Sequence, residues 1–196
     1  MKKTVKKFFM VVLSSLIFSG CAQSKDIENI KGGEKVGKYT MPDEKSEHEG
    51  TWLQWPHEFT YGKDYKEEIE SVWIDMASTL SEDEKVHIVA YNEVEKEKIN
   101  KILTDKGVNM EKINFFIYPT DDVWARDNGP IFVYDNDKNL KILDLGFNGW
   151  GKKTPFSKDA LLRKRLSKEL GIERIALNAV IIEGGAIELE DRKSVV

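Results

Sequence analysis

The feature that most constrains the fold is the alternation of short apolar runs with segments of helical periodicity between residues 51 and 182. The runs 86–91 and 113–118 have the length and apolar character of strands, and residues 93–105 between them have helical spacing. Strands that alternate with helices favour parallel pairing in an α/β fold. The sequence therefore predicts α/β repeats of about 45–65 residues.

The other predicted elements extend this alternation along the chain. The predicted strands are Thr51–Trp55, Val86–Tyr91, Ile113–Tyr118, Ile131–Tyr134, Leu140–Leu145 and Ile175–Ile182, and the predicted helices are Asp64–Leu80, Glu93–Asp105 and Ser157–Leu170. Gly107 and Gly171 follow helical segments, as glycine commonly does at a helix end. Residues 135–138 predict the turn of a hairpin.

One predicted loop carries an unusual density of binding groups. The segment 121–130 lies between two predicted strands and contains three carboxylates, an indole and a guanidinium. Converging carboxylates beside an aromatic face favour a cation, and a planar guanidinium matches the two oxygens of a carboxylate. An acidic turn, with Trp124 in a core and Arg126 paired with Asp122, explains the same residues without a ligand.

Several segments resemble, in order, motifs of the agmatine deiminases and the Porphyromonas-type peptidylarginine deiminases. Residues 124–130, Trp-Ala-Arg-Asp-Asn-Gly-Pro, resemble the Trp-x-Arg-Asp-x-Gly-Pro signature of that family. The other matching segments are Met41-Pro42, Glu47-His48-Glu49, Thr51 to His57, Gly146 to Gly151 and Glu183 to Glu188. The chain is therefore similar to members of the guanidino-modifying superfamily across most of its length.

The resemblance implies a pentein fold, a five-bladed α/β propeller, of which this chain would supply about half of the blades. It also implies hydrolysis of the guanidinium of agmatine to N-carbamoylputrescine and ammonia, with a cysteine thiolate as nucleophile and a histidine as acid and base. Conversion of protein arginine to citrulline is an alternative that these motifs leave open. A lipoprotein that binds arginine-like or polyamine cations without chemistry is another.

The resemblance assigns the guanidinium contacts to two carboxylates, Asp127 and Glu183. Trp124 would stack on the substrate chain or form a wall of the pocket. Three other tryptophans are weaker candidates for the pocket lining: Trp52, Trp55 and Trp150. Neither a metal nor an organic cofactor is implied, and no group of His, Cys and Asp residues has the spacing of metal ligands.

Neighbouring residues have structural interpretations. We favour a core or rim position for Trp52 and Trp55, and the glycines around Trp150 favour a segment whose backbone shape matters. Arg126 is always charged and would repel a cationic substrate, so we interpret it as the partner of a nearby carboxylate. Gly184 and Gly185 permit a tight backbone path beside a ligand. The three histidines, His48, His57 and His87, are interpreted as structural.

The first residues have the organisation of a bacterial lipoprotein signal. Residues 1–7 are cationic, and residues 8–18 are apolar but too few to span a bilayer as a permanent helix. Ile-Phe-Ser-Gly-Cys at 17–21 resembles a lipobox, with Phe18 where Leu is commoner. We predict a signal peptide over 1–20, a lipidated Cys21 with a flexible tether over 21–38, and an extracytoplasmic protein anchored to the membrane. A signal-anchor helix with an incidental cysteine is the alternative.

Composition excludes two further features. A net charge of −4 with 33% charged residues leaves no basic field for a nucleic-acid backbone. The single cysteine excludes an intramolecular disulfide. The oligomeric state does not follow from the sequence.

The C-terminal region carries a further expectation. Residues 39–190 are predicted to be the N-terminal part of a deiminase catalytic domain, and residues 191–196 are interpreted as a non-native tail because they depart from the family pattern. The resemblance places the catalytic histidine downstream of Glu-Gly-Gly and the cysteine near the C-terminus of the family. The chain of 196 residues is therefore expected to be a truncated deiminase without covalent activity.

Overall fold

A computed structural model describes residues 39–43, 46–177 and 180–187, which form a mixed α/β structure. Its strands are β1 (Gly50–Gln54), β2 (Lys85–Ala90), β3 (Ile113–Ile117), β4 (Ile131–Tyr134), β5 (Leu140–Asp144) and β6 (Arg174–Ala176). Its helices are α1 (Glu58–Tyr61), α2 (Lys63–Asp83), α3 (Glu93–Asp105), α4 (Ala125–Asn128), α5 (Gly149–Lys152) and α6 (Leu162–Leu170). Short 3-10 helices cover Met110–Lys112, Asp159–Leu161 and Gly184–Ala186.

The first sheet has the order β1-β2-β3, with all strands parallel. Because parallel strands end at the same edge of a sheet, the residues that follow them come together there. The His57 ring lies 4.5 Å from the ring of Tyr91, and its Nε2 lies 3.2 Å from Thr120 Oγ1. The acidic segment 121–130 begins at this edge.

Both faces of the first sheet are covered, as the alternation of side chains along β2 requires. One face packs on α2 and α3 through the buried residues Leu53, Ala77, Val86, Ile88, Ala90, Ile99 and Leu103. The opposite face packs on α6 through Val89, Phe116, Leu162 and Leu166. The sheet is thus enclosed by helices on two sides, which explains why its strands read as continuous apolar runs.

The second sheet has the order β4-β5-β6, in which β4 and β5 form an antiparallel hairpin and β5 pairs in parallel with β6. The Asp135 carboxylate fixes the hairpin turn by accepting the N–H groups of Asp137 and Asn139 at 2.9 and 2.8 Å. Helix α6 connects β5 to β6 and packs on the first sheet as well. It therefore fixes the second sheet against the first.

Most predicted elements are confirmed, and α3 and β4 have the predicted bounds. The strand prediction over Ile175–Ile182 is wrong for the described residues beyond Ala176, because the partner strand β5 ends at Asp144 and Val180 N–H donates to Leu177 O at 2.8 Å. The helix predicted from Ser157 begins as a 3-10 turn, and α6 starts only at Leu162. The single-turn helices α1 and α4 were not predicted.

The predicted signal peptide, Cys21, the tether and the tail over 191–196 lie outside the described residues. Within the described stretches, every helix is too short or too polar to cross a bilayer. The pentein propeller stays a prediction.

Candidate active site

The acidic segment has two halves with different surroundings. In the anchored half, residues 121–123, the backbone is held by partners from several elements. Asp121 N–H donates to Asp159 Oδ1 at 2.8 Å, and the Asp121 carboxylate accepts the Lys158 N–H at 2.7 Å. This reciprocal pair joins the segment to the start of the helical region before α6.

Residues from β1 and α1 complete the anchoring. Gln54 Nε2 donates to the Asp122 carbonyl at 2.7 Å, and Thr60 Oγ1 donates to the Asp121 carbonyl at 2.6 Å. The Tyr61 hydroxyl donates to the Asp122 carboxylate. Asp121 and Asp122 therefore fix the backbone conformation of the segment.

Two of these carboxyl groups lie in the interior. Asp159 is 1% exposed and Asp121 is 8% exposed. Burial raises the pKa of Asp159 to about 7, and the charges of Asp121 and Asp122 contribute in the same direction, while N–H groups of the segment oppose the shift. The ammonium of Lys158 lies 3.6 Å from Asp121 Oδ1 and partly compensates this negative charge.

The helical half, Trp124–Gly129, contains α4. Its last residue, Gly129, packs against Ala125 in the first turn of that helix. A methyl group at Gly129 would lie 2.2 Å from the Ala125 carbonyl oxygen, so glycine is required for this close approach. Arg163 of α6 donates from Nε to Gly129 O and from Nη2 to Asp127 O, both at 2.8 Å. The guanidinium thereby holds the backbone on which the Asp127 side chain is mounted.

The Glu-Gly-Gly segment packs directly on α4. A methyl group at Gly184 would lie 2.0 Å from the Arg126 carbonyl oxygen, which explains the glycine at that position. The backbone N–H of Gly185 donates to the Asp127 carboxylate. The structure therefore brings Asp127 and Glu183 together, although 55 residues of sequence separate them.

The electrostatics of Asp127 follow from this packing. Partial burial and then repulsion from Glu183 raise its pKa, whereas the Gly185 N–H and the charges of Arg126 and Arg163 oppose the shift. The neighbouring Glu183 carboxylate and the partial burial therefore disfavour the ionisation of Asp127. A bound cation would remove that repulsion, and a planar guanidinium would offer hydrogen-bond donors to each carboxylate.

Trp124 and Trp150 belong to two different elements, the helical half of the acidic segment and α5. Trp124 precedes α4 and is 52% exposed, so its indole is accessible from solvent. Trp150 lies in α5, whose residues 149–152 all have positive φ angles of 63°, 52°, 80° and 64°. This left-handed turn costs a non-glycine residue about 1–2 kcal/mol, and the Asn148 side chain supports it by accepting the Gly151 N–H at 2.8 Å.

The two tryptophans of the opening motif pack within the first sheet. Trp55 is 2% exposed, and its indole N–H donates to the Glu70 carboxylate at 2.7 Å. Trp52 stacks on His87 with ring centroids 4.6 Å apart and also contacts Phe116. Both positions correspond to the core or rim interpretation.

The histidines have structural partners. His57 is buried against Tyr91 and Thr120, and burial followed by the charge of Lys158 lowers its pKa. Burial also lowers the pKa of His87, which lies 3.4 Å from the amide nitrogen of Asn114. His48 forms an ion pair with Glu84. These contacts agree with the structural interpretation given to all three.

Sequence reasoning missed two residues that shape the site, Arg163 and Asp159. Both lie in a charged stretch that reads as a solvated helix, and their burial depends on contacts far along the chain. The spacing of apolar residues in α6 offered a partial signal, because Arg163 directly follows the buried Leu162. Nothing in the sequence indicated which loop Arg163 would contact.

The described residues contain no group of three or more His, Cys, Asp and Glu side chains that could hold a metal ion. Two surface hollows lie away from Asp127. One of about 260 Å³ is lined by Glu58, Lys63, Lys66, Glu67, Glu95 and Lys98, and the other, of about 590 Å³, lies beside His48 and Glu84. Their charged side chains are largely paired with each other, so we place the candidate site at Asp127 and Glu183 on chemical grounds.

Curated proteins similar to this chain are agmatine deiminases by name. The chain is 26% identical over 167 residues to a candidate agmatine deiminase of Selenomonas ruminantium, with 83% of the chain and 44% of that protein covered. It is 24% identical over 163 residues to an agmatine deiminase of Stutzerimonas stutzeri, with 81% and 43% covered. The chain thus spans less than half the length of these relatives.

A solved structure gives the same result. The structure of a C. jejuni agmatine deiminase variant with substrate bound matches with a TM-score of 0.67 and 29% identity, over 83% of this chain and 45% of that one. Residues 40–196 match the family described as Porphyromonas-type peptidyl-arginine deiminase. The chain therefore belongs to that family, as the order of its motifs had predicted.

Proposed function

We propose that the described residues form the guanidinium-binding part of an agmatine-type deiminase, a hydrolase that acts on guanidino C–N bonds. Asp127 and Glu183 hold the two terminal nitrogens of the guanidinium and orient its plane. Trp124 covers the alkyl chain of the substrate. The family membership and the agmatine deiminases among its relatives support this reaction class.

The observation that carries the proposal is the contact between α4 and the Glu-Gly-Gly turn. It places the Glu183 charge close enough to Asp127 to raise the pKa of Asp127. The turn is seated against the Arg126 carbonyl, so the two carboxylates are held by backbone packing. Such preorganised negative charge favours a cation that can donate to both groups at once.

The reaction places separate demands on these residues and on the nucleophile. A thiolate adds to the guanidinium carbon, ammonia leaves after protonation, and water then releases the ureido product and regenerates the thiolate. The carboxylates keep the substrate cationic and flat during the addition. We assign the thiolate and the acid–base group to no described residue, because the three histidines in this region have structural contacts and Cys21 lies outside it.

Substrate binding should depend on pH in a defined direction. The pKa of Asp127 is raised, so the carboxyl group loses its charge at a higher pH than an ordinary aspartate as the solution is acidified. The guanidinium remains protonated throughout this range. Affinity is therefore expected to fall as pH decreases through the pKa of Asp127.

Calorimetric titration of the full chain tests the proposal with agmatine, arginine and putrescine as ligands. Agmatine is expected to bind, and putrescine, which has the same chain with an ammonium in place of the guanidinium, is expected to bind at least tenfold more weakly. A colorimetric assay for the ureido product tests the chemistry. Equal affinity for agmatine and putrescine would contradict guanidinium recognition.

Deimination of peptidyl arginine is the second candidate, and the exposure of Trp124 favours it. An indole that is 52% exposed beside α4 leaves room for a backbone that continues beyond the arginine side chain. An arginine-containing peptide, blocked at both ends, distinguishes the two substrates in the same titration. Ligand binding without ureido product from either substrate would indicate the cation-binding lipoprotein.

The proposal extends to architecture and location. We propose that the two three-stranded sheets are blades of a pentein propeller, supported by the likeness to deiminase structures. We further propose that Cys21 is lipidated and anchors an extracytoplasmic protein, supported by the apolar run 8–18 and the lipobox-like residues before Cys21. Metabolic labelling with palmitate checks the anchor, and equal labelling of Cys21→Ala would contradict it.

A further inference from the structure

Arg163 is buried and has several polar partners. Its side chain is 2% exposed, yet its guanidinium reaches acceptors from two segments of the chain. Nε donates to Gly129 O and Nη2 to Asp127 O at 2.8 Å, and Nη1 lies 3.4 Å from Gly146 O. Nη1 also lies 3.7 Å from Asp144 Oδ1.

These acceptors connect two parts of the candidate site. The Asp127 and Gly129 carbonyls belong to the helical half of the acidic segment. Gly146 follows β5 and leads into the left-handed turn that carries Trp150. Arg163 therefore spans the backbone of both parts with one planar group, and a lysine ammonium would not present donors in this fork.

The acidic neighbour of Arg163, Asp144, neutralises only part of the Arg163 charge. Asp144 accepts from Arg174 through its other oxygen at 2.6 Å, so one carboxylate faces two guanidinium groups. Burial lowers the pKa of Arg163, and Asp144 opposes this shift, so the group remains cationic at neutral pH. The remaining field acts on Asp127, whose raised pKa it counteracts.

We propose that Arg163 is a positioning residue of the guanidinium site, which holds the Asp127 backbone and the Trp150 segment in fixed register and keeps the Asp127 carboxyl group ionised. This role rests on the proposed function in so far as the site binds substrate. An apolar side chain of similar size would avoid the desolvation of a buried charge. It would also remove the donors from the Asp127 and Gly129 carbonyls.

The test compares Arg163→Met, which removes the charge and the donors, with Arg163→Lys, which keeps the charge and loses the fork. Arg165→Met is the matched control, because Arg165 is also on α6 and donates to the Pro119 carbonyl at 3.1 Å. The readouts on the full chain are the titration of the Asp127 carboxyl carbon by NMR, the Kd for agmatine and the thermal midpoint.

In Arg163→Met, the Asp127 titration is expected to move to higher pH, and the Kd for agmatine is expected to rise about tenfold or more. In Arg163→Lys, the Asp127 titration stays near its wild-type position while the Kd still rises. Arg165→Met should change neither quantity. If Arg163 contributed only to stability, the Asp127 titration would not differ between Arg163→Met and Arg163→Lys in this way.

A folded Arg163→Met with wild-type Asp127 titration and wild-type Kd would overturn the proposal. If Arg163→Met fails to fold, Arg163→Lys decides, since wild-type affinity in that variant shows that the fork is dispensable. A wild-type chain that binds no agmatine contradicts the proposed function. In that case the Asp127 titration in Arg163→Met still tests the positioning role.

Discussion

The two halves of the acidic segment are adjacent in sequence and differ in how they are held. In the anchored half, side chains of the segment and its neighbours satisfy the backbone, and the Asp121 and Asp122 carboxylates already have partners. In the helical half, a partner from α6 binds the backbone, while the Asp127 side chain faces a second acid, Glu183.

The difference shows that carboxylates of one motif have separate tasks. The Asp121 and Asp122 carboxylates fix the backbone of the segment through several hydrogen bonds, so their removal should affect stability. A carboxylate held beside another acid carries a repulsion that a bound cation relieves. Substitutions in the anchored half should therefore change stability, and those in the helical half should change binding.

The largest stability effect is expected at Asp159. Asp159→Ala removes the acceptor of the Asp121 N–H and leaves a cavity, at an expected cost of about 1–3 kcal/mol below about pH 4, where the carboxyl group is uncharged. Asp159→Asn retains an acceptor without the charge. Chemical denaturation of both variants measures the free energy of unfolding. An Asp159→Ala variant as stable as wild type in this pH range would contradict the structural role of the anchored half.

The pH dependence of Asp159→Asn sharpens this test. The pKa of Asp159 is about 7 in the folded chain and about 4 in the unfolded chain, so ionisation in the folded state costs stability. The cost is absent below about pH 4, grows as pH rises to about 7 and is complete above that pH. Asp159→Asn should consequently lose this pH dependence and be more stable than wild type at pH 8.

The next effect is expected where the Glu-Gly-Gly turn meets α4. Gly184→Ala introduces a methyl group 2.0 Å from the Arg126 carbonyl, so the turn must move away from α4, with an expected loss of about 1–3 kcal/mol and of agmatine binding. Gly185→Ala is the matched control for stability, because a methyl group there has no atom within 4 Å. Equal thermal midpoints for the two variants would show that the packing is not restrictive.

A smaller stability effect is expected at Tyr61. Tyr61→Phe removes the hydroxyl that donates to the Asp122 carboxylate and should cost about 1 kcal/mol. Because Asp122 belongs to the anchored half, agmatine affinity should change less than twofold. A large loss of affinity, with stability unchanged, would assign Asp122 to the ligand.

The smallest stability effect is expected at Trp124. Trp124→Ala removes an indole that is 52% exposed, so the thermal midpoint should change little. Agmatine binding should weaken by about 0.5–2 kcal/mol if the indole stacks on the ligand. Calorimetry of Trp124→Ala and Trp124→Phe separates stacking from general bulk, since phenylalanine retains an aromatic face.

The sequence predicted the elements whose signals are local. The bounds of α3 follow from helical spacing between Asn92, which caps its first turn, and Gly107, which follows its last. The position of β2 follows from its continuous apolar run, because both faces of the strand are covered. The motifs also indicated Asp127 and Glu183, which the fold brings together.

The features that could not be predicted depend on distant contacts. β6 ends where its partner β5 ends, and no residue type in 175–182 indicates that the strand stops there. The burial of Arg163 and Asp159 depends on carbonyl and N–H groups that lie more than 30 residues away in the chain. The left-handed turn at Trp150 requires support from Asn148, although the flanking glycines hinted at an unusual backbone.

A double-mutant cycle in agmatine binding tests most directly whether Asp127 and Glu183 hold one guanidinium. Asp127→Asn and Glu183→Gln keep the shape of each side chain and remove its charge, and calorimetry of the two single variants and the double variant gives their coupling. Each substitution is expected to weaken binding about tenfold or more, with a coupling of about 0.5–3 kcal/mol between them. Losses that simply add, or agmatine binding unchanged in both single variants, would contradict a shared site.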